Sequence, residues 1–279
     1  MLIAIDYIGR VGVGVTGPHF FRAQDEKIYV VKLQNNRLGC KVLVNELLAA
    51  KFGQRMGLCF PTSGIILINE QLIQKCPLLM TPEISLGRHF ASQYLEHTEY
   101  VEEHNLSQGI NISEMAGVML FDCIFHNTDR ANNKNNLLIR QEQEGYKLYA
   151  IDNSHLFRSG KWTLESLKIL SPRIKPYCRN FYGTLLRDYL SAHDFLPYLE
   201  KVMTISNEAI ETIVGQIPPE WLPDQFEKKE LAHYIQIRRD MAEDIRDTLC
   251  KYIPIARGGN RWLYRRGTTS HHGDHLGKS

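Results

Sequence analysis

The chain has 279 residues, of which 43% are hydrophobic and 23% charged, with a formal net charge of +2. This is an ordinary composition for a soluble globular protein, long enough to bury a sizeable core in one domain or two lobes. No apolar run approaches the roughly 18 residues that span a bilayer. Met1-Leu2-Ile3-Ala4-Ile5-Asp6 lacks the basic start and long apolar stretch of a secretory signal. Cys40, Cys59, Cys76, Cys123, Cys178 and Cys250 are scattered and form no C-x-x-C pair, so a reduced, cytoplasmic chain without a cysteine-zinc site is expected.

The first feature in chain order is Gly12-Val13-Gly14-Val15-Thr16-Gly17, with the spacing G-x-G-x-x-G. In dinucleotide-binding folds the last glycine of this pattern opens a helix. At a hairpin tip the same glycines merely supply positive φ. Here Pro18 to Ala23 and Ile28 to Leu33 flank a polar Gln24-Asp25-Glu26 break, which predicts strand, turn, strand and no helix. A glycine hairpin followed by a strand that carries a lysine is the arrangement that covers nucleotide phosphates in protein kinases. Lys32 is the candidate lysine, and Gly14, Val15, Thr16 and Gly17, nearest the expected tip, are the candidate phosphate contacts.

Apolar residues at helical spacing predict a helix over Lys41 to Phe52, ending near Gly53 to Gly57. Glu46 lies in its middle, where it is either a solvated helix residue or the glutamate that pairs with the lysine strand. Thr62 to Ile68 and Arg88 to Glu96 predict further strands. The second leads into a hinge, and position alone suggests Gln93, Tyr94, Leu95 and Glu96 as the backbone that meets an adenine. Hairpin, helix and strands make a small α+β unit.

Beyond about Tyr100 the pattern turns helical. Ile112 to Phe125 predicts a strongly apolar helix that delivers the chain to His126-Asn127-Thr128-Asp129-Arg130-Ala131-Asn132-Asn133-Lys134-Asn135-Asn136-Leu137-Leu138-Ile139. That stretch holds one carboxylate, two cations and five amides, denser than a simple turn requires. Tyr146 to Ile151 gives a second strand that ends in Asp152, pairing with the first as a hairpin. Phosphoryl transfer asks for such a set, because its transition state is mostly charge to be neutralised around an oriented hydroxyl. Magnesium takes hard oxygen ligands and few protein donors. Asp152 and Asn136 are therefore assigned as metal ligands, with Asn135 the alternative to Asn136. Asp129 is assigned to orient or deprotonate the acceptor. Arg130 and Lys134 either neutralise developing charge or pair structurally with a carboxylate, and His126 and His155 need have no role.

The rest reads as scaffold, with helices over Leu164 to Leu170, Tyr182 to His193, Leu196 to Met203, Ser206 to Gln216 and Lys228 to Tyr252. Trp162 and Trp221 are expected in packing roles. Residues 257–279 carry Arg257, Arg261, Arg265, Arg266 and Lys278 against Asp274, which leaves a slightly acidic body. A nucleic-acid-binding body is thus not expected; the tail is expected to be disordered, or to dock an acidic partner.

Taken together, Val30-Val31-Lys32, Asn45 to Ala49 (NELLA), Asn127 to Arg130 (NTDR), Asn135 to Ile139 (NNLLI) and Ala150 to Phe157 (AIDNSHLF) resemble the HipA-like kinases. These belong with the phosphatidylinositol-kinase-like branch of the protein-kinase fold. The resemblance covers about residues 1 to 160 by motif. It implies an α+β, bilobal protein-kinase-like fold, with a small β-rich N-lobe over 1–98, a helical C-lobe over 99–256 and the basic tail beyond. It also implies that Lys32 binds phosphates, Glu46 pairs with it, Asp129 is catalytic, and Asn136 and Asp152 hold the metal. The expected activity is ATP- and Mg²⁺-dependent transfer to a hydroxyl, with Ser or Thr of a protein substrate as the acceptor. A silent nucleotide-binding module and a lipid or small-molecule kinase are the alternatives.

Overall fold

A computed structural model describes residues 1–76, 79, 84–176 and 181–253. The basic tail lies outside the described residues, as does Cys178. Five strands close into a barrel in the order β1-β2-β3-β5-β4: β1 (Leu2–Arg10), β2 (His19–Ala23), β3 (Ile28–Lys32), β4 (Ser63–Ile68) and β5 (Gly87–Gln93). The glycine segment is the tip between β1 and β2, closed by Val11 N–H donating to Pro18 O at 3.0 Å. Gly12, Gly14 and Gly17 all hold positive φ there, which a residue with a Cβ adopts only under strain. Strand β1 was not foreseen. Its parallel pairing with β4, Leu2 opposite Ile66 and Ile3 opposite Leu67, is what closes the barrel.

Two separate cores result. Phe21, Tyr29, Val31, Ile66, Ile68 and Ala91 fill the barrel interior. Helix α1 (Lys41–Met56) belongs instead to the larger cluster shared with the C-terminal helices. Eleven of its sixteen residues are buried, so it is wrapped on nearly all sides. It stops at Gly57, whose φ of 69° lets its N–H turn back onto the Gln54 and Gly53 carbonyls.

Two short helices, α2 (Glu70–Lys75) and α3 (Glu103–Leu106), precede the apolar helix, here a 3-10 turn over Ile112–Glu114 running into α4 (Met115–Ile124). All ten α4 residues are buried, Asp122 among them. The chain continues through α5 (Thr128–Asn132) into a second sheet of β6 (Thr98–Tyr100), β7 (Leu137–Glu142) and β8 (Gly145–Ala150). Helices α6 (Leu164–Leu170), α7 (Phe181–Leu186), α8 (Leu196–Met203), α9 (Asn207–Gly215), α10 (Gln225–Asp240) and α11 (Ala242–Cys250) complete the described chain.

Two helix expectations are corrected. Tyr182 to His193 is not continuous: α7 ends at Leu186, and Ser191 with Asp194 forms a capping box that starts a new 3-10 turn. Lys228 to Tyr252 is broken at Met241, whose φ of −88° and ψ of 4° end α10 and open α11.

A clamp joins the barrel to the helices. Arg88 on β5 forks onto Glu220 through Nε and Nη2, both at 2.6 Å, and Trp221 Nε1 donates to Arg88 O at 3.0 Å. Trp221 is buried, as is Trp162, whose ring lies under the Lys41 ammonium.

Two buried histidines make stability pH-dependent. Gln34 N–H donates to His89 Nδ1 at 3.0 Å, so His89 Nε2 carries the proton and donates to Ser85 O at 2.9 Å. Burial pushes the His89 pKa down to about 4. Burial and then Arg238 push that of His126 down to about 3. Both stay neutral when folded, whereas the unfolded chain takes up protons near pH 6.5. The stability they contribute is present above that value and lost as pH falls, about 2 kcal/mol for each between pH 7 and pH 5. Thermal melts across that range should fall steeply for the native protein and less steeply for His89→Gln; equal slopes would refute the assignment.

Candidate active site

The site is built where α1, β3 and the β7–β8 hairpin meet. Lys32 ends β3, and its ammonium bonds the Glu46 carboxylate on α1 and, at 2.9 Å, Asp152 Oδ1 just past β8. Lys32 and Glu46 are almost fully buried, while the Asp152 side chain keeps 37% of its surface. Burial would push the lysine pKa down, but the Asp152 and Glu46 carboxylates outweigh it and raise it above the ordinary value. Burial would likewise raise Asp152, yet Lys32 and Ser154 hold it well below the carboxylate range. For Glu46 burial wins over Lys32, and its pKa is raised. Glu46 Oε1 also accepts the Asn153 N–H at 3.1 Å.

Asn136 enters from the other strand of the hairpin. Leu137 pairs with Ala150, and Ile151 N–H donates to Asn136 O at 3.0 Å, so Asn136 and Asp152 stand at the same end of β7 and β8. Asn136 Nδ2 donates to Asp129 Oδ2 at 2.6 Å, which leaves its amide oxygen for another partner.

The loops that carry Asp129 and Asp152 are clasped together at strained backbone. His126, Asp152, Phe157 and Arg158 all hold φ between 51° and 65° without being glycine. Phe157 N–H donates to Phe125 O at 2.7 Å, and Arg158 N–H to His126 O at 3.0 Å. Arg130 is the buried tie: its guanidinium reaches Asp122 Oδ1 at 2.5 Å, Asn153 Oδ1 at 2.6 Å and Ile151 O at 3.1 Å. It is a structural partner of a carboxylate, not a cation offered to a ligand. His126 is structural too, with Nε2 3.0 Å from Leu170 O.

A cavity of about 900 Å³ opens above this cluster. Gly14, Thr16, Lys32, Glu46, Gln93, Tyr94, Leu95, Asn136 and Asp152 line it, with apolar walls from Val30, Phe90 and Leu138 among others. Asn135, the alternative ligand, lines it as well. Val15, Gly17, Glu96 and Asp129 are not in its lining. Val15 points to solvent at the hairpin tip while its carbonyl accepts from Arg37 Nε at 2.6 Å. Gly17 donates its N–H to Gly14 O at 3.1 Å, and Glu96 is exposed. Asp129 touches the cavity through Asn136. At the β5 edge, Gln93 and Tyr94 donate their N–H groups to Thr62 O and Ile28 O.

Sequence reasoning gave no role to Asn45, Asn153 or Ser154. Asn45 Nδ2 donates to Ser154 O at 2.7 Å and its Oδ1 accepts from Trp162 Nε1 at 2.9 Å, so α1 fixes the backbone after Asp152. The signal was present: an Asn-Glu pair inside the apolar run Val42 to Ala49 must find buried partners.

The donors suit a hard cation. Among the described residues no cluster of three or more His, Cys, Asp and Glu forms a metal cage. One carboxylate and one amide oxygen fit an ion that keeps phosphate oxygens and waters as its other ligands, as magnesium does.

A sequence profile of the HipA-like kinases matches residues 4–249. The chain belongs to the HipA-like kinase family. Its mixed α+β fold is similar to that of solved structures. One is a Helicobacter pylori proinflammatory kinase, CtkA, 12% identical, with a TM-score of 0.53 over 89% of this chain and 98% of that one. Another is hydra Fam20 with sugar, 13% identical, with a TM-score of 0.50 over 91% and 90%. The HipA of Shewanella oneidensis MR-1, solved with HipB and operator DNA, aligns at 11% identity and a TM-score of 0.46 over 87% and 67%. No curated protein sequence matches. This HipA-like kinase is accordingly a phosphotransferase, and its family implies use of a nucleotide. No helix among its described residues is long and apolar enough to cross a membrane.

Proposed function

We propose that the protein is a cytoplasmic, two-lobed kinase that uses ATP and Mg²⁺ to phosphorylate Ser or Thr of a protein. The observation that carries this reading is Lys32, bonded at once to Glu46 and Asp152 on the floor of a cavity that the glycine hairpin borders. Bound Mg·ATP supplies the phosphoryl group and neutralises the charge that develops on it. The chain's own residues do the rest. Lys32, fixed by Glu46, holds phosphate oxygens, and the hairpin lies over them. Asp152 and Asn136 hold the cation. The edge at Gln93 to Glu96 receives the adenine: with the Gln93 and Tyr94 N–H groups engaged, that of Leu95 is the next one along. Asp129, oriented by Asn136, takes the acceptor hydroxyl's hydrogen bond and its proton.

The test incubates the purified protein with Mg²⁺ and γ-labelled ATP, alone and with a cell lysate. Label on serine or threonine of a protein supports the reading. Label on a lipid or small molecule moves the substrate class, and ATP binding without any transfer refutes the enzyme.

A further inference from the structure

Asp152 does not reach its position by backbone alone. Its φ of 56° is left-handed, a conformation a non-glycine residue keeps only when its surroundings hold it. The holding groups come from Ser154, which is buried. Ser154 Oγ donates to Asp152 Oδ1 at 2.6 Å and Ser154 N–H to the same oxygen at 3.2 Å. Lys32 adds its bond to that oxygen at 2.9 Å. Oδ1 therefore has three donors, and no donor among the described residues reaches Oδ2.

Ser154 is itself oriented. Its Oγ lies 3.2 Å from His155 Nδ1. A hydroxyl has one proton, and the shorter bond to the carboxylate takes it. His155 must then donate from Nδ1, which gives a directed chain from His155 through Ser154 to Asp152. The backbone of Ser154 is anchored in turn by Asn45.

We propose that Ser154, held by His155, is a positioning residue for the metal ligand: it fixes one oxygen of Asp152 against Lys32 so that the other is presented to the divalent cation. This rests on the reading of Asp152 as a metal ligand given above. An alanine at 154 keeps the backbone N–H and the Lys32 bond but removes the shortest of the three donors, so the carboxylate is held less firmly and its second oxygen is less sharply aimed. Such supporting hydrogen bonds change metal affinity by about 10–100-fold.

The experiment titrates Mn²⁺ by electron paramagnetic resonance into wild type, Ser154→Ala, Ser154→Thr and Asp152→Asn, each with a non-hydrolysable ATP analogue. The Mg²⁺ dependence of phosphoryl transfer is measured beside it. Ser154→Ala should weaken Mn²⁺ binding about tenfold or more and raise the half-saturating Mg²⁺ in parallel. Its affinity for the metal-free analogue should stay at the wild-type value, saturating Mg²⁺ should recover most of kcat, and Ser154→Thr should restore the metal affinity. Wild-type Mn²⁺ affinity in Ser154→Ala beside loss in Asp152→Asn overturns the role of Ser154 and leaves Asp152 as the ligand. Wild-type affinity in Asp152→Asn as well overturns both. Should alanine prevent folding, Ser154→Cys, of similar size and with only a weak donor, reads the same outcomes.

Discussion

Replacing Lys32 by methionine is expected to destabilise the fold by about 3–5 kcal/mol, the usual result of removing one partner from a buried ion pair. Phosphoryl transfer should fall by a further ~10²–10³-fold in the fraction that remains folded. The cause is electrostatic: Glu46 and Asp152 both face the position the ammonium leaves, and Glu46 is buried there. The deficit should depend on pH with a definite sign. Without the lysine, burial and then the Asp152 charge raise Glu46 against the Asn153 N–H alone, and its pKa stays above the ordinary 4.5. The folded variant then binds a proton that the unfolded chain releases, so its stability declines as pH rises through and above that value. Urea denaturation at pH 5 and pH 8 should show the larger deficit at pH 8. Adding Glu46→Gln should recover much of the stability and none of the activity. A Lys32→Met protein as stable as wild type at pH 8 would show that the pair is not desolvated as described.

Asp129→Asn should have the opposite profile, with kcat lower by ~10²–10⁴ and stability near wild type. Asp129 is half-buried and outside the cavity lining, so removing its charge neither strands a buried partner nor alters the cavity walls. Asn136 can still donate to the new amide oxygen, which preserves the local turn. Because the cavity lining is untouched, the KM for ATP should hold while kcat falls, the pattern of an interaction made only in the transition state. A loss confined to KM would remove Asp129 from the chemistry and leave it a binding residue.

What could be read from the chain differs by element. The β2–β3 pair, α1, the β7–β8 hairpin and α6 announce themselves by local periodicity and turn chemistry. Strand β1 does not: register shifts between Ala4 and Asp6 and between Tyr7 and Gly9 break its alternation. Its exposed Ile3, Ile5 and Ile8 give no clear inside and outside. Barrel closure was also illegible, because it rests on the pairing of β1 with β4 across a long stretch of chain. The interruption at Met241 carries no proline or glycine to mark it. In the site, spacing and charge pointed to Lys32, Glu46, Asn136 and Asp152, and the fold brings those four to one cavity. The residues that hold them, Asn45, Arg130, Asn153 and Ser154, act through buried contacts between segments far apart in sequence, and only the packed structure shows which atoms meet.

The Arg88 clamp sets the mechanics of the cavity. Strand β5 is tied to Glu220 and Trp221 near its first residues, whereas Phe90, Ser92 and Gln93 farther along the same strand form part of the cavity wall. The far end of β5 is held as well, by the Gln93 and Tyr94 N–H bonds to Thr62 O and Ile28 O and by the run of chain into β6 of the second sheet, so the strand is a beam supported at both ends. The glycine hairpin, reached through β3 and β2, overhangs that beam, with the Arg37 bond to Val15 O as a side-chain tether at its tip. Ligand entry then needs bending at the tip, a displacement of a few residues, while the five strands behind it keep their seat on the helical base.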